Sequence, residues 1–325
     1  MSEAPKDANG RLQLNKPRYD QSEFVGRAKH FFNVTDPRNL FTSAAQLDAA
    51  KKLIDDYKIG REAVGTSEND VWHAKKLYDS AFHPDTGQKQ FIFGRMSAQV
   101  PCNMAITGAM MTFYKTTPAV VFWQWFNQTF NAVVNYTNRS GDAEITNKML
   151  LQAYLSATGC ALGTALGLNA IVKKLPPIVG RFVPFVAVAA GNCVNIPLMR
   201  QRELIHGIPV FDHDGNRLGE SKVAAEKAIA MTIISRISMA LPGMCIPPFF
   251  MNRLEEKAFM KRMPWLASPI QILMVGFCLV FATPLCCAIF PQTSSMTFDS
   301  LEKDLQEAIL KKDLAYDRVY FNKGL

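Results

Sequence analysis

The sequence predicts an all-α protein: a polytopic integral membrane helical bundle of about five spans with proline-broken helices, preceded by a small helical polar region. Three observations predict it. Six long stretches between residues 96 and 298 contain no Asp, Glu, Lys or Arg. The first 95 residues are instead charged and show helical periodicity. Prolines recur inside or beside the uncharged stretches, at positions 101, 184, 197, 242, 247, 248 and 284, and each removes a backbone donor that a helix would use. The chain therefore divides into a polar region (1–95), a membrane body (96–298, with a hairpin-like loop at 200–220) and a polar tail (299–325).

In the polar region, residues 1–10 contain Glu3 and Asp7 and no apolar core, the pattern of neither a secretory signal peptide nor an Arg-rich mitochondrial presequence. The Met-Ser-Glu start permits removal of Met1 and acetylation of Ser2. Residues 11–40 read as irregular, punctuated by Pro17 and Asp36-Pro37. Ser43 can cap a helix to about Tyr57 with Leu47, Ala50, Leu53, Ile54 and Tyr57 on one face. Ser67 and Asp70 resemble a capping box opening a second helix, which carries Val71, Trp72, Leu77, Tyr78 and Phe82. The His83-Pro84-Asp85-Thr86-Gly87 segment is turn chemistry, with His83 and Asp85 as the residues of a hinge between the polar region and the membrane body.

The uncharged stretches are Met96–Tyr114, Thr116–Asn138, Met149–Val172, Phe182–Met199, Ile237–Asn252 and Met263–Phe298. A helix needs about 20 mainly apolar residues to cross the hydrocarbon core. The stretches from 149, 182 and 263 meet this directly, and the one from 237 does if its helix starts near Ser221 and includes Arg236. The first stretch is marginal. The second is amphipathic: Gln124, Asn127, Gln128, Asn131 and Asn135 share a face by spacings of three and four, with Trp and Phe side chains on the others. Such an amide stripe can line a pore for a polar solute, or it can face headgroups on an interfacial helix. Further candidates for contact with a solute are Gln99 and Asn103 near Pro101, Asn192 and Asn195 near Pro197, and Arg236. Interhelical packing is the competing reading of the amides, and snorkelling to an interface that of Arg236. The Gly-rich span 159–167 reads as a close helix contact. Between spans, residues 208–219 form a hairpin with an Asp-Gly turn; Val223 stands where a calcium loop would need Glu. Asp299 to about Ala315 reads as a charged helix.

The net charge of +8 lies beside the apolar runs rather than in a stripe interleaved with aromatics, which excludes the nucleic-acid reading. No Walker A pattern, nucleophile elbow or zinc spacing is present, so neither an enzyme, a metal site nor a cofactor is expected. The seven cysteines all lie in the apolar part and read as small hydrophobes, the five histidines all in polar segments. No stretch carries an acidic residue, so carboxylate-based proton coupling has no candidate there and passive or exchange transport is the expectation.

The strings His83–Gly87, Gly94–Met104, Thr116–Gln124, Asn135–Asp142, Phe281–Pro291 and Tyr320–Leu325 closely resemble the sideroflexins, and the resemblance covers essentially the whole chain. It implies a multi-pass protein of the mitochondrial inner membrane. It also implies, for the animal branch it resembles most, the import of serine for one-carbon metabolism, with alanine and cysteine as further substrates. The resemblance carries over no binding residues, and the family's association with iron finds no ligand cluster in this chain. The rival expectation is a non-transporting membrane scaffold or assembly factor working through the polar region.

Overall fold

The computed structural model describes residues 5–7, 10–83, 86–114, 116–138, 146–172, 180–310 and 317–324. Its first layer is the polar platform. Helix α2 (Ala44–Lys58) and helix α3 (Glu68–Ala81) each open on a complete capping box, Ser43 with Gln46 and Ser67 with Asp70. Each box satisfies backbone donors that the first helical turn leaves unpaired. The two helices bury the faces read from the sequence: Ala50 and Ile54 meet Val71, Trp72 and Ala74, with Leu12 and Leu14 closing the cluster. The stretch 11–40 departs from the irregular expectation, since it contains helix α1 (Phe24–Val34). Its Ala28 and Phe31 pack on Ala288, and Arg27 donates to the Ala288 carbonyl at 2.9 Å. That helix is short and gains its order from a partner 260 residues away, a contact that local periodicity does not report.

Among the described residues the membrane body has six main helices of unequal length. They are α4 (Gln99–Phe113), α5 (Thr117–Thr137), α6 (Asn147–Val172), α7 (Val183–Met199), α9 (Lys222–Leu254) and α11 (Ala267–Cys287). Two short helices, α8 (Gln201–His206) and α10 (Ala258–Arg262), connect them. Among the described residues, three segments are long and apolar enough to cross a membrane: Lys148–Ile171, Lys222–Leu254 and Pro264–Cys287. Helix α7, with 17 residues, reaches only about 26 Å at 1.5 Å per residue, so the span expected there is a shorter apolar helix. Leu273, Phe277, Phe249, Phe250, Leu151 and Leu155 are exposed along these helices, the surface a lipid environment covers.

Prolines break fewer helices than the sequence implies. Pro101 and Pro184 lie in the first turns of α4 and α7, where the missing donor has no partner to lose. Pro242, Pro247 and Pro248 lie inside the continuous helix α9. Helices α4 and α11 approach closely at Gly108, where a Cβ would stand 2.7 Å from Ile272 Cγ1. The Gly-rich span departs from its reading too. Gly159, Gly163 and Gly167 face open space, and Ala153, Ala157, Ala161 and Ala165 form the buried seam of α6 instead. Both sets repeat every four residues, and the two-residue offset sends them to opposite faces.

Beyond α11 the chain departs from the expected run to Phe298 and from a separate tail. Strand β3 (Thr293–Thr297) and strand β4 (Arg318–Asn322) join the hairpin β1 (Ile208–Phe211) and β2 (Arg217–Ser221) in an antiparallel sheet of order β2-β1-β4-β3. The hairpin follows the sequence: Gly215 has φ +85°, and the Asp212 carboxylate accepts from the Asp214 and Asn216 amides at 2.9 and 2.8 Å. Val210, Met296, Val319 and Phe321 bury against Ala224, Ala225 and Ala228 of α9. Helix α12 (Lys303–Leu310) covers the sheet through Ile309. Glu302 accepts from the first backbone amides of α9, at 2.5 Å from Lys222 and 3.0 Å from Val223, a carboxylate at the positive end of a helix.

The platform is pinned by Asp36, a buried carboxylate that accepts from Arg38 Nη2 and Lys76 Nζ, both at 2.8 Å. Burial alone would push its carboxyl up, but the Arg38 and Lys76 bonds outweigh this and hold it well below the usual carboxylate range. A depressed folded pKa contributes stability that is complete above the unfolded value near ~4 and is lost as pH falls toward the folded value. Asp36→Asn is expected to destabilise the platform by about 1–3 kcal/mol at neutral pH and to flatten its acid sensitivity. Thermal unfolding in detergent at pH 3, 5 and 7 checks both effects.

Candidate functional site

Helix α5 starts at Thr116, whose hydroxyl accepts from the Ala119 amide, and contains no charged residue. Its aromatic side chains Phe122, Trp125 and Phe126 are exposed, while the amide stripe turns inward. Gln124 (0 % exposed), Asn127 (4 %) and Gln128 (1 %) are buried in the bundle. These three amides therefore face protein rather than headgroups, and the Gln128 amide lies against Gly191 of α7. Asn131 is half-buried on the same face, and the side chain of Asn135 lies outside the described part.

What the stripe meets is apolar and small. A Cβ built on Gly191 of α7 would fall 2.5 Å from Gln128 Nε2 and 3.3 Å from Ala161 Cβ of α6, so only glycine leaves the Gln128 amide its place. Ala165, Ala187 and Val120 pack together farther along the same seam. Gln124 Nε2 donates to the Tyr114 hydroxyl at 2.7 Å. Gln124 Oε1, Asn127 Nδ2, both amide atoms of Gln128 and the Thr158 hydroxyl are buried without a hydrogen-bond partner among the described residues. Each such group costs about 1–3 kcal/mol of unrecovered desolvation. Gln124, Asn127 and Gln128 share one face of α5, and Thr158 lies on α6, the helix packed beside it.

The other sequence candidates divide among three places. On α4, Asn103 Nδ2 donates to Gln99 Oε1 at 3.3 Å, leaving Gln99 Nε2 buried and unpartnered. On α7, Asn195 is buried one turn beyond Gly191 on the same face, and Asn192 is half-buried. An apolar cluster of Ile106, Met110, Phe130, Val134, Val188 and Met244 joins α4, α5, α7 and α9. Arg236 falls elsewhere, near Cys287 and Lys323 at the end of α11. Arg200 is there as well, donating to the Lys323 carbonyl at 2.9 Å and pairing with Glu203. Burial, with the Arg27, Arg200 and Arg236 charges adding to it, pushes the Lys323 ammonium below the ordinary lysine range.

His83 sits in a closed turn. Its amide donates to the Gln88 carbonyl at 2.8 Å, and its carbonyl accepts from Gly87 at 2.9 Å. Asp85 and Ser2 lie outside the described residues. Gln90 and Gly94 then bond Asn138 at the end of α5, at 3.1 and 2.7 Å, which ties the turn to the amide-bearing helix. Sequence reasoning missed Tyr114, Thr158 and Gly191. The alanines repeating every four residues along α6, and Ala187, Gly191 and Asn195 at the same spacing on α7, were the available signal. Among the described residues, no group of three or more His, Cys, Asp or Glu side chains is placed to hold a metal ion.

Tyr114→Phe removes the one partner of Gln124 Nε2 without changing the ring. A loss of about 1–3 kcal/mol is expected, read as a lower unfolding temperature in detergent, with the Tyr114→Phe/Gln124→Leu pair recovering part of it.

The comparisons with known proteins concern the whole of this architecture. A family model described as Sideroflexins matches residues 13–325. Sideroflexin-1 of Ovis aries is 65 % identical over 314 residues, which cover 97 % of this chain and 98 % of the relative. Sideroflexin-1 of Homo sapiens is 64 % identical with the same coverage, and Sideroflexin-3 of Homo sapiens is 59 % identical over the full length of both chains. No solved structure matches the chain. With a family match from residue 13 onward and relatives this similar along their whole length, the chain belongs to the sideroflexin family.

Proposed function

We propose that this protein is a carrier of small neutral amino acids, serine foremost and alanine and cysteine besides, in the mitochondrial inner membrane, where it feeds one-carbon metabolism. The observation that carries the reading is the buried amide face of α5, where Gln124 Oε1, Asn127 Nδ2 and both amide atoms of Gln128 lack partners among the described residues and Gln128 lies against Gly191. Membership of the sideroflexin family supports the carrier class.

The chemistry fits a transient guest. Neutral amides and a hydroxyl offer donors and acceptors in both senses, and each exchanged hydrogen bond is worth only about 1 kcal/mol net. Binding of that strength allows release on the far side. The unpartnered Gln99 amide and the buried Asn195 extend the set of polar contacts beyond α5. The six uncharged stretches hold no carboxylate, which supports passive or exchange transport over proton coupling.

The test is labelled-serine uptake into liposomes holding only the purified protein, with and without a pH gradient. Saturable uptake that alanine and cysteine compete and the gradient leaves unchanged is expected. Asn195→Leu and Asn103→Leu should each reduce uptake at least tenfold while the protein still inserts. Folded, inserted protein that moves no amino acid would leave the scaffold reading, in which platform residues such as Trp72 and Lys75 matter instead.

A further inference from the structure

The carrier reading says that a small polar solute passes the amide face; the geometry around Gln128 says more about which solute. Gln128 has 1 % of its surface exposed, and among the described residues neither its donor nor its acceptor has a partner. Its amide lies in the space that the missing side chain of Gly191 leaves open. Behind it the seam is closed: Ala157, Ala161 and Ala187 have no exposed surface, and Ala161 Cβ would meet any Cβ at position 191. Thr158, with its unpartnered hydroxyl, lies three residues before Ala161 on α6.

We propose that Gln128, seated against Gly191, is the residue that reads the side-chain hydroxyl of the solute and so sets the preference for serine over alanine. An ammonium only donates hydrogen bonds and a carboxylate only accepts them, whereas a hydroxyl does both. An amide with donor and acceptor both free therefore matches the hydroxyl, the one group of serine that alanine lacks. A site built to bond a hydroxyl discriminates strongly against the analogue without it, because the site's own polar atoms are then left buried and unpaired. Gly191 acts as a positioning residue: any side chain there moves the Gln128 amide from its seat.

The proposal rests on the carrier reading for its solute, and the experiment separates the two. Uptake kinetics for serine and for alanine would be measured on wild type, Gln128→Leu, Gly191→Ala and the double variant in liposomes. Serine-induced thermal stabilisation would be measured on the same proteins in detergent. Gln128→Leu is expected to raise the serine KM roughly tenfold, the worth of one lost hydrogen bond, with alanine kinetics nearly unchanged. Gly191→Ala should show a smaller shift in the same direction, and the double variant no more than Gln128→Leu alone. The unfolding temperature of Gln128→Leu without solute should be equal or higher, since two unpaired polar atoms leave the interior.

An unchanged serine-to-alanine ratio in Gln128→Leu overturns the proposal while leaving the carrier reading intact. Stabilisation by serine that Gln128→Leu abolishes, in a protein that transports nothing, upholds the seat and removes the carrier. Absence of both uptake and stabilisation in the wild type removes both.

Discussion

Everything in the membrane body depends on the cost of placing an uncharged amide where water does not reach. A neutral side chain such as Gln128 can enter a helical bundle at the cost of its hydrogen bonds, while a charge cannot enter without a partner. Helix α5 accepts that cost at three consecutive positions of one face, and its other faces carry enough aromatic surface to anchor it. Gly191 and the alanines of α6 give the amides room by contributing almost no volume. A bundle built for stability alone would fill this seam with leucine and leave α5 free of Gln.

The polar elements at the ends of the bundle keep that seam in place. Arg27 bonds the carbonyl of Ala288 just past α11, so the platform holds the exit of a membrane helix rather than floating beside it. On the other chain segment, Gln90 and Gly94 grip Asn138 at the end of α5. The sheet draws residues from before α9 and after α11 into one unit, with Glu302 on the N-terminus of α9. Helices that are not joined to their sequence neighbours by short loops are thereby fixed at their ends.

Much of this was legible in the sequence, and the reasons differ by element. Capped amphipathic helices announce themselves locally, so Ser43 and Ser67 with their buried faces could be read residue by residue. The amide stripe was legible as a face, since helical spacing defines faces, but not as to direction: the stripe alone does not say whether protein or headgroups lie opposite. Gly191 and Ala161, 63 and 33 residues after Gln128, answer that. Strands β3 and β4 were hidden for another cause. Thr293–Thr297 carries no charge and continues an uncharged run, and its partner β4 lies beyond a helix. Strand pairing is a non-local property, whereas a helix satisfies its own backbone. Helix α1 failed to show because its burial comes from α11.

The placement of charge completes the argument. Arg27, Arg200, Arg236 and Lys323 gather at one end of α11, where Ala288 and Phe290 carbonyls receive two of them. A helix C-terminus carries about half a negative charge and terminal carbonyls without intrahelical donors, which is a favourable setting for cations. The interior seam, by contrast, is served by amides and hydroxyls. A cation in the seam would carry a desolvation cost that only a charged or multiply bonded partner offsets, whereas amides at the border would be satisfied by water. The groups costliest to desolvate thus sit where terminal carbonyls receive them, and only uncharged polar groups are left in the seam.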